Sequence, residues 1–98
     1  MSDGADTSER RTATFVVINR LGLHARAAML LVETAGRFEA IVEITKDGQT
    51  VDAKSIMELL LLAATQGSTI EVSAIGKDAE AALAAIGELV TDRFREAE

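Results

Sequence analysis

The stretch Phe38-Glu39-Ala40-Ile41-Val42-Glu43-Ile44-Thr45-Lys46-Asp47-Gly48-Gln49-Thr50-Val51-Asp52-Ala53 decides the fold. Phe38, Ala40, Val42 and Ile44 alternate with Glu39, Ile41, Glu43 and Thr45, the period-two pattern of a half-buried strand. Lys46-Asp47-Gly48-Gln49 supplies turn chemistry and a second short strand follows at 50–53, so the stretch predicts a β-hairpin. The two strands share one apolar face, and the rest of the chain must cover it.

Toward the C-terminus, Ser55-Ile56-Met57-Glu58 has the form of a capping box, in which the serine side chain bonds the N3 amide and the glutamate reaches back. A helix therefore starts there and runs through Leu59-Leu60-Leu61-Leu62 to about residue 65, with Gly67 punctuating its end. Ile70, Val72 and Ala74 alternate with Glu71 and Ser73, a strand over 69–74. After Gly76, Asp78 and Glu80 place negative charge at a helix start, and Ala79, Leu83, Ile86, Val90 and Phe94 form one continuous apolar stripe along the longest helix.

Toward the N-terminus, Thr14-Phe15-Val16-Val17-Ile18 reads as a strand over 14–19 with both faces largely apolar. Arg20-Leu21-Gly22-Leu23-His24 breaks that pattern, and a helix follows over 25–35 with Gly36 as its C′ residue. The polar, charged start predicts a disordered tail over 1–12 and a single domain over 13–98. The order β-α-β-β-α-β-α, with helices apolar on one side, implies an α+β fold: one sheet with its helices on one face.

Composition removes several function classes. Ninety-eight residues, 48% of them hydrophobic, suffice for one core and for little more. The absence of cysteine excludes thiol chemistry and disulfides, and with a single histidine it leaves no usual zinc site, so neither a metal nor a cofactor is expected. A formal net charge of -6 opposes nucleic-acid binding, which depends on Lys and Arg neutralising phosphates. The start has no apolar h-region and no later run reaches membrane-spanning length, so a cytoplasmic protein is expected.

Two residues stand out for chemistry. His24 is the only histidine and sits where the Gly22-Leu23 loop meets a helix start. Helix N-termini offer unpaired N–H groups and a positive dipole end that suit a phosphate. Arg26, in the first turn, is a cation where a cation is mildly unfavourable, and a phosphoryl group nearby would compensate. Imidazole is largely neutral and nucleophilic at cytosolic pH, so it needs no helper base. Taken alone, these residues fit an ordinary loop histidine beside a solvated arginine more readily.

Ser55 divides between a structural cap and a regulatory phosphorylation site, and spacing alone favours the cap. The run Ile56 to Leu62 carries apolar residues on more than one helix face. Met57, Leu60 and Leu61 are candidates for an adaptable docking patch, and deep burial between sheet and helix is the alternative.

Asn19-Arg20-Leu21-Gly22-Leu23-His24-Ala25-Arg26-Ala27-Ala28 resembles HPr, the family of histidine-containing phosphocarriers of the bacterial phosphoenolpyruvate-dependent phosphotransferase system. Ala53-Lys54-Ser55-Ile56-Met57 is similar to that family's regulatory-serine region, and the likeness continues through Gly67-Ser68-Thr69-Ile70 to the final helix, about residues 13–95. The resemblance implies an open-faced β-sandwich, a four-stranded antiparallel sheet with three helices on one face. It implies phosphorylation of His24 at Nδ1, with Arg26 neutralising the phosphoryl group. It implies enzyme I as donor, an enzyme IIA domain as acceptor, and HPr kinase/phosphorylase acting on Ser55. Ala27 departs from the proline common after the arginine, and Glu58 from the glycine usual beside a regulated serine, where its carboxylate would repel a phosphate. Under this reading the protein is a carrier and a substrate of enzyme I, not a stand-alone enzyme, and works as a monomer in sugar uptake or its regulation.

Two other classes compete with that reading. One is a binding module, in the nitrogen-related branch of the same system, whose docking is switched by phosphorylation. The other is a ligand-binding domain resembling ferredoxin-like regulatory modules, which share the order β-α-β-β-α-β.

Overall fold

The computed structural model describes residues 9–96. Its elements are β1 (Arg10–Val16), α1 (Ala25–Gly36), β2 (Ile41–Lys46), β3 (Gln49–Asp52), α2 (Ile56–Leu61), β4 (Thr69–Ile75) and α3 (Ala79–Thr91), followed by a short turn at Arg93–Arg95. The four strands form one antiparallel sheet in the order β1-β4-β2-β3, with the three helices over it, the open-faced architecture expected. The hairpin turns through Asp47 and Gly48 at φ 51° and 81°, the paired left-handed residues that match the strands' twist.

β4 lies in the middle of the sheet and sends Ile70, Val72 and Ala74 into the core. Val42 and Ile44 of β2 meet them there, facing Leu31 of α1 and Ile86 and Val90 of α3, all of them buried. Each such aliphatic side chain stabilises the fold by about 1.5–3 kcal/mol. Gly87 lets α3 approach β1 closely: a Cβ there would lie 2.8 Å from Cζ of Phe15.

Several boundaries differ from the sequence expectation, each for a physical reason. β1 begins at Arg10, inside the stretch expected to be tail, and pairs with β4 from Arg10↔Ile75 to Val16↔Thr69. Ladder bonds are made by the backbone, so an edge strand can carry arginines and threonines. Because the helices cover only one face of the sheet, the two faces of β1 are not both buried, and Val16 remains 49% exposed. The rest of the expected tail, residues 1–8, lies outside the described residues.

Gly36 ends α1 from within instead of standing beyond it, and Arg37 closes the helix in ordinary right-handed geometry. β2 begins at Ile41 because the N–H groups of Glu39 and Ala40 donate to the carboxylate of Asp78, 2.9 Å each. Asp78 therefore anchors this connection and makes no side-chain cap on α3. α2 stops at Leu61, short of residue 65: Ala63 turns left-handed (φ 52°), and the carbonyl of Ala64 accepts from the N–H of Leu23 at 2.8 Å. α3 stops at Thr91, and Phe94, expected as the end of its stripe, is buried from a left-handed turn instead.

Candidate functional site

Between β1 and α1 the chain turns over Asn19 to Gly22, whose N–H donates to the carbonyl of Asn19 at 3.2 Å. Gly22 is required twice over. Its φ is 66°, and a Cβ would lie 2.6 Å from the carbonyl oxygen of Ala64. The loop therefore sits tightly on the segment that follows α2, and this fixes the start of α1.

His24 is the N-cap of α1, with extended backbone (φ -78°, ψ -179°), and its Nδ1 accepts from the N–H of Arg26 at 3.2 Å. Its other ring nitrogen, Nε2, lies 2.9 Å from Oε2 of Glu96. Both partners constrain the ring. A backbone N–H can only donate and a carboxylate can only accept, so Nδ1 carries the lone pair and Nε2 the proton. Glu96 also accepts from Nδ2 of Asn19 at 2.9 Å, and that same amide donates to the carbonyl of Gly22 at 2.8 Å. The amide of Asn19 is the largest influence holding the Glu96 carboxyl below its ordinary range, followed among the favourable contacts by the Leu21 N–H and then His24. The first turn of α1 contains no acidic residue, and Arg26 is exposed there.

The sequence reading missed Glu96. It lies 72 residues from His24, in a segment read as the end of a helix, and no local pattern points to it. The signal that existed was Asn19, a polar residue that is fully buried and must find partners.

Ser55 is the N-cap of α2, its Oγ accepting from the N–H of Glu58 at 3.3 Å. Only half of the expected capping box forms as written. The Glu58 carboxylate reaches past Ser55 and accepts from the N–H of Asp52 at 2.9 Å, tying α2 to the end of β3. Leu59 and Leu62 are buried, whereas Met57 is 73% exposed, Leu61 70% and Leu60 40%. The run from Ile56 to Leu62 thus divides, Leu59 and Leu62 into the core and Ile56, Met57, Leu60 and Leu61 outward. His24 and Arg26 are brought together at one helix start, and Ser55 heads a separate helix that packs against α1.

The family model described as the phosphorylation site of the PTS HPr component matches residues 11–92. This chain belongs to the HPr family. It is 46% identical over 81 residues to the phosphocarrier protein HPr of Xylella fastidiosa, covering 83% of this chain and 91% of that one. The structure of HPr from Thermoanaerobacter tengcongensis superposes with a TM-score of 0.87 at 39% identity, covering 90% of this chain and 99% of that one. A multiphosphoryl transfer protein of Vibrio cholerae is 41% identical over 85 residues, covering 84% of this chain and 21% of its own length. The protein is accordingly an HPr-type phosphocarrier of the phosphotransferase system, and the ferredoxin-like alternative is set aside by the fold. Where the HPr pattern has proline, Ala27 occupies the first turn of α1 and is fully buried. Among the described residues, no group of three or more His, Asp or Glu side chains could hold a metal ion, and no helix is long and apolar enough to cross a membrane.

Proposed function

We propose that His24 accepts a phosphoryl group on Nδ1 from phosphorylated enzyme I in the cytoplasm and passes it to an enzyme IIA domain. The observation that carries this reading is the ring's hydrogen bonding: the Nδ1 lone pair faces the start of α1 while the Nε2–H is held by a carboxylate. Nδ1 attacks phosphorus as the bond from phosphorus to the donor breaks. The phosphoryl oxygens then accept from the N–H groups at the start of α1, replacing the bond that Nδ1 made to Arg26. The guanidinium of Arg26 reaches the same oxygens and offsets their charge. Transfer onward reverses these steps on a second partner, so the protein stores the group and does not turn over a substrate by itself.

Enzyme I and the enzyme IIA domain meet the exposed Met57, Leu60 and Leu61, side chains that repack against differently shaped surfaces. A monomer suits this work, because short-lived complexes with successive partners use one face. Ser55 serves as a cap. Its modification by HPr kinase/phosphorylase would set a phosphate beside the Glu58 carboxylate, which disfavours it.

Intact mass after incubation with phosphoenolpyruvate and enzyme I tests the proposal. The expected result is acid-labile gain of one phosphoryl group in the wild type and none in His24→Ala. No gain, or an equal gain in the variant, defeats it.

A further inference from the structure

Arg93, Phe94 and Arg95 have φ of 57°, 51° and 62°, a left-handed turn built from three non-glycine residues. It is closed by the N–H of Arg95 to the carbonyl of Asp92 and of Glu96 to that of Arg93, both 2.9 Å. Residues with a Cβ rarely adopt this conformation, and it persists only where the surroundings dictate it. Two anchors dictate this one. Phe94 is buried in the core, and Glu96 is bound by His24, Asn19 and, at 3.4 Å, the N–H of Leu21. The strain turns the chain back from α3 so that a carboxylate lands on the far ring nitrogen of the only histidine.

We infer that Glu96 is a positioning residue for phosphoryl transfer, selecting the His24 tautomer with a free Nδ1 lone pair and balancing the positive charge the ring acquires. The inference rests on the reading of His24 as the phosphoryl acceptor and deepens it. When the Nδ1–P bond forms and the donor's bond to phosphorus breaks, Nδ1 has given its lone pair and Nε2 keeps its proton. The ring is then cationic, and no proton needs to leave it. The carboxylate 2.9 Å from Nε2 meets that charge from the side of the ring away from the phosphoryl group, where it does not block attack. Asn19 acts through Glu96: its amide ties the carboxylate to the Gly22 carbonyl and thus to the active loop. In the chain, the charged residues nearest these groups are Arg20 and Arg26 on either side of His24, and Arg93 and Arg95 before Glu96. Glu96 is the carboxylate that bonds the His24 ring.

The test uses the full chain with Glu96→Ala and Glu96→Gln, each shown by thermal melting to remain folded. Two quantities are read: single-turnover transfer from phosphorylated enzyme I over a range of donor concentrations, and the ring 15N shifts of neutral His24. Glu96→Ala is expected to slow the maximal rate roughly 3- to 10-fold, the worth of one hydrogen bond, with half-saturation unchanged. It is also expected to admit the Nδ1–H tautomer. Glu96→Gln keeps an acceptor for Nε2–H, so it restores the tautomer and only part of the rate. An unchanged rate and unchanged ring shifts in Glu96→Ala would overturn the inference. So would a slower rate with unchanged shifts that Gln does not rescue. If the wild type itself gains no acid-labile phosphoryl group, the His24 reading fails first, which is a separate outcome.

Discussion

Two helix starts in this molecule use the same device for different ends. At α1 the cap is His24, and at α2 it is Ser55; in each a side-chain atom accepts from a backbone N–H of the first turn. What separates them is the placement of a carboxylate. Glu58 lies in the first turn of α2, so the positive end of that helix is already compensated and a phosphate would meet a like charge. The first turn of α1 has no acid, and its nearby carboxylate, Glu96, bonds the nitrogen on the other side of the ring. One start is left open to an anion while the other is closed to it. On the proposed reading of His24, a cap becomes a phosphoryl site through the charges around it, not through its own hydrogen bond.

The most direct challenge to this contrast is His24→Asn, which keeps a good N-cap and removes the nucleophile. Acid-labile phosphorylation should vanish, while the melting temperature stays within about 4 °C of wild type, as intact mass and calorimetry would show. If that substitution destabilised the fold as strongly as a lost core residue, the cap would matter more than the chemistry.

Arg26→Ala should slow transfer from enzyme I roughly tenfold, the worth of one charge-assisted hydrogen bond, with Arg26→Lys recovering part of it. Equal rates in stopped reactions would mean that the helix start alone holds the phosphoryl group. Ser55→Ala should lower stability by about 1 kcal/mol, or about 4–8 °C in melting temperature, with transfer unchanged. A loss of transfer in that variant would join the two helix starts into one site.

A pH series probes the carboxylate that separates the two starts. The Glu96 carboxyl titrates below its usual value of 4.5 when folded, because Asn19, Leu21 and His24 favour the charged form. Its contribution is therefore present above about pH 4.5 and is lost as pH falls through the lower folded value. Denaturant titrations should show a shallower acid loss for Glu96→Gln than for wild type in that window. The smallest effect expected is from Arg95→Gly, which relieves a left-handed φ of 62° at the cost of a floppier unfolded chain. A net gain of about 0.5 kcal/mol in denaturant unfolding would agree with a strained turn.

Much of the molecule was legible before any coordinate. The alternation of 38–45 and the Asp47-Gly48 turn specify a hairpin, because side-chain direction and turn twist are properties of a few consecutive residues. The same holds for Ser55 as a cap and for the helix start behind His24. The motif around His24 and Arg26 likewise pointed to the family that the comparisons establish. Boundaries failed wherever a distant group took over a backbone bond. Asp78 claimed the N–H groups of Glu39 and Ala40 and delayed β2, and a left-handed turn at Ala63, beside the Ala64 carbonyl that Leu23 holds, ended α2 early.

The α+β class, the element order and the helix start that carries His24 were written into the chain, since each rests on periodicity or capping within a short window. Folding in three dimensions chose which strands are neighbours, how the α2 leucines divide between core and surface, and that Glu96 closes on His24. Those depend on pairs of groups far apart in the chain. Such pairs leave no local pattern, and burial of Phe94 enforces a backbone turn that its own residues would not choose.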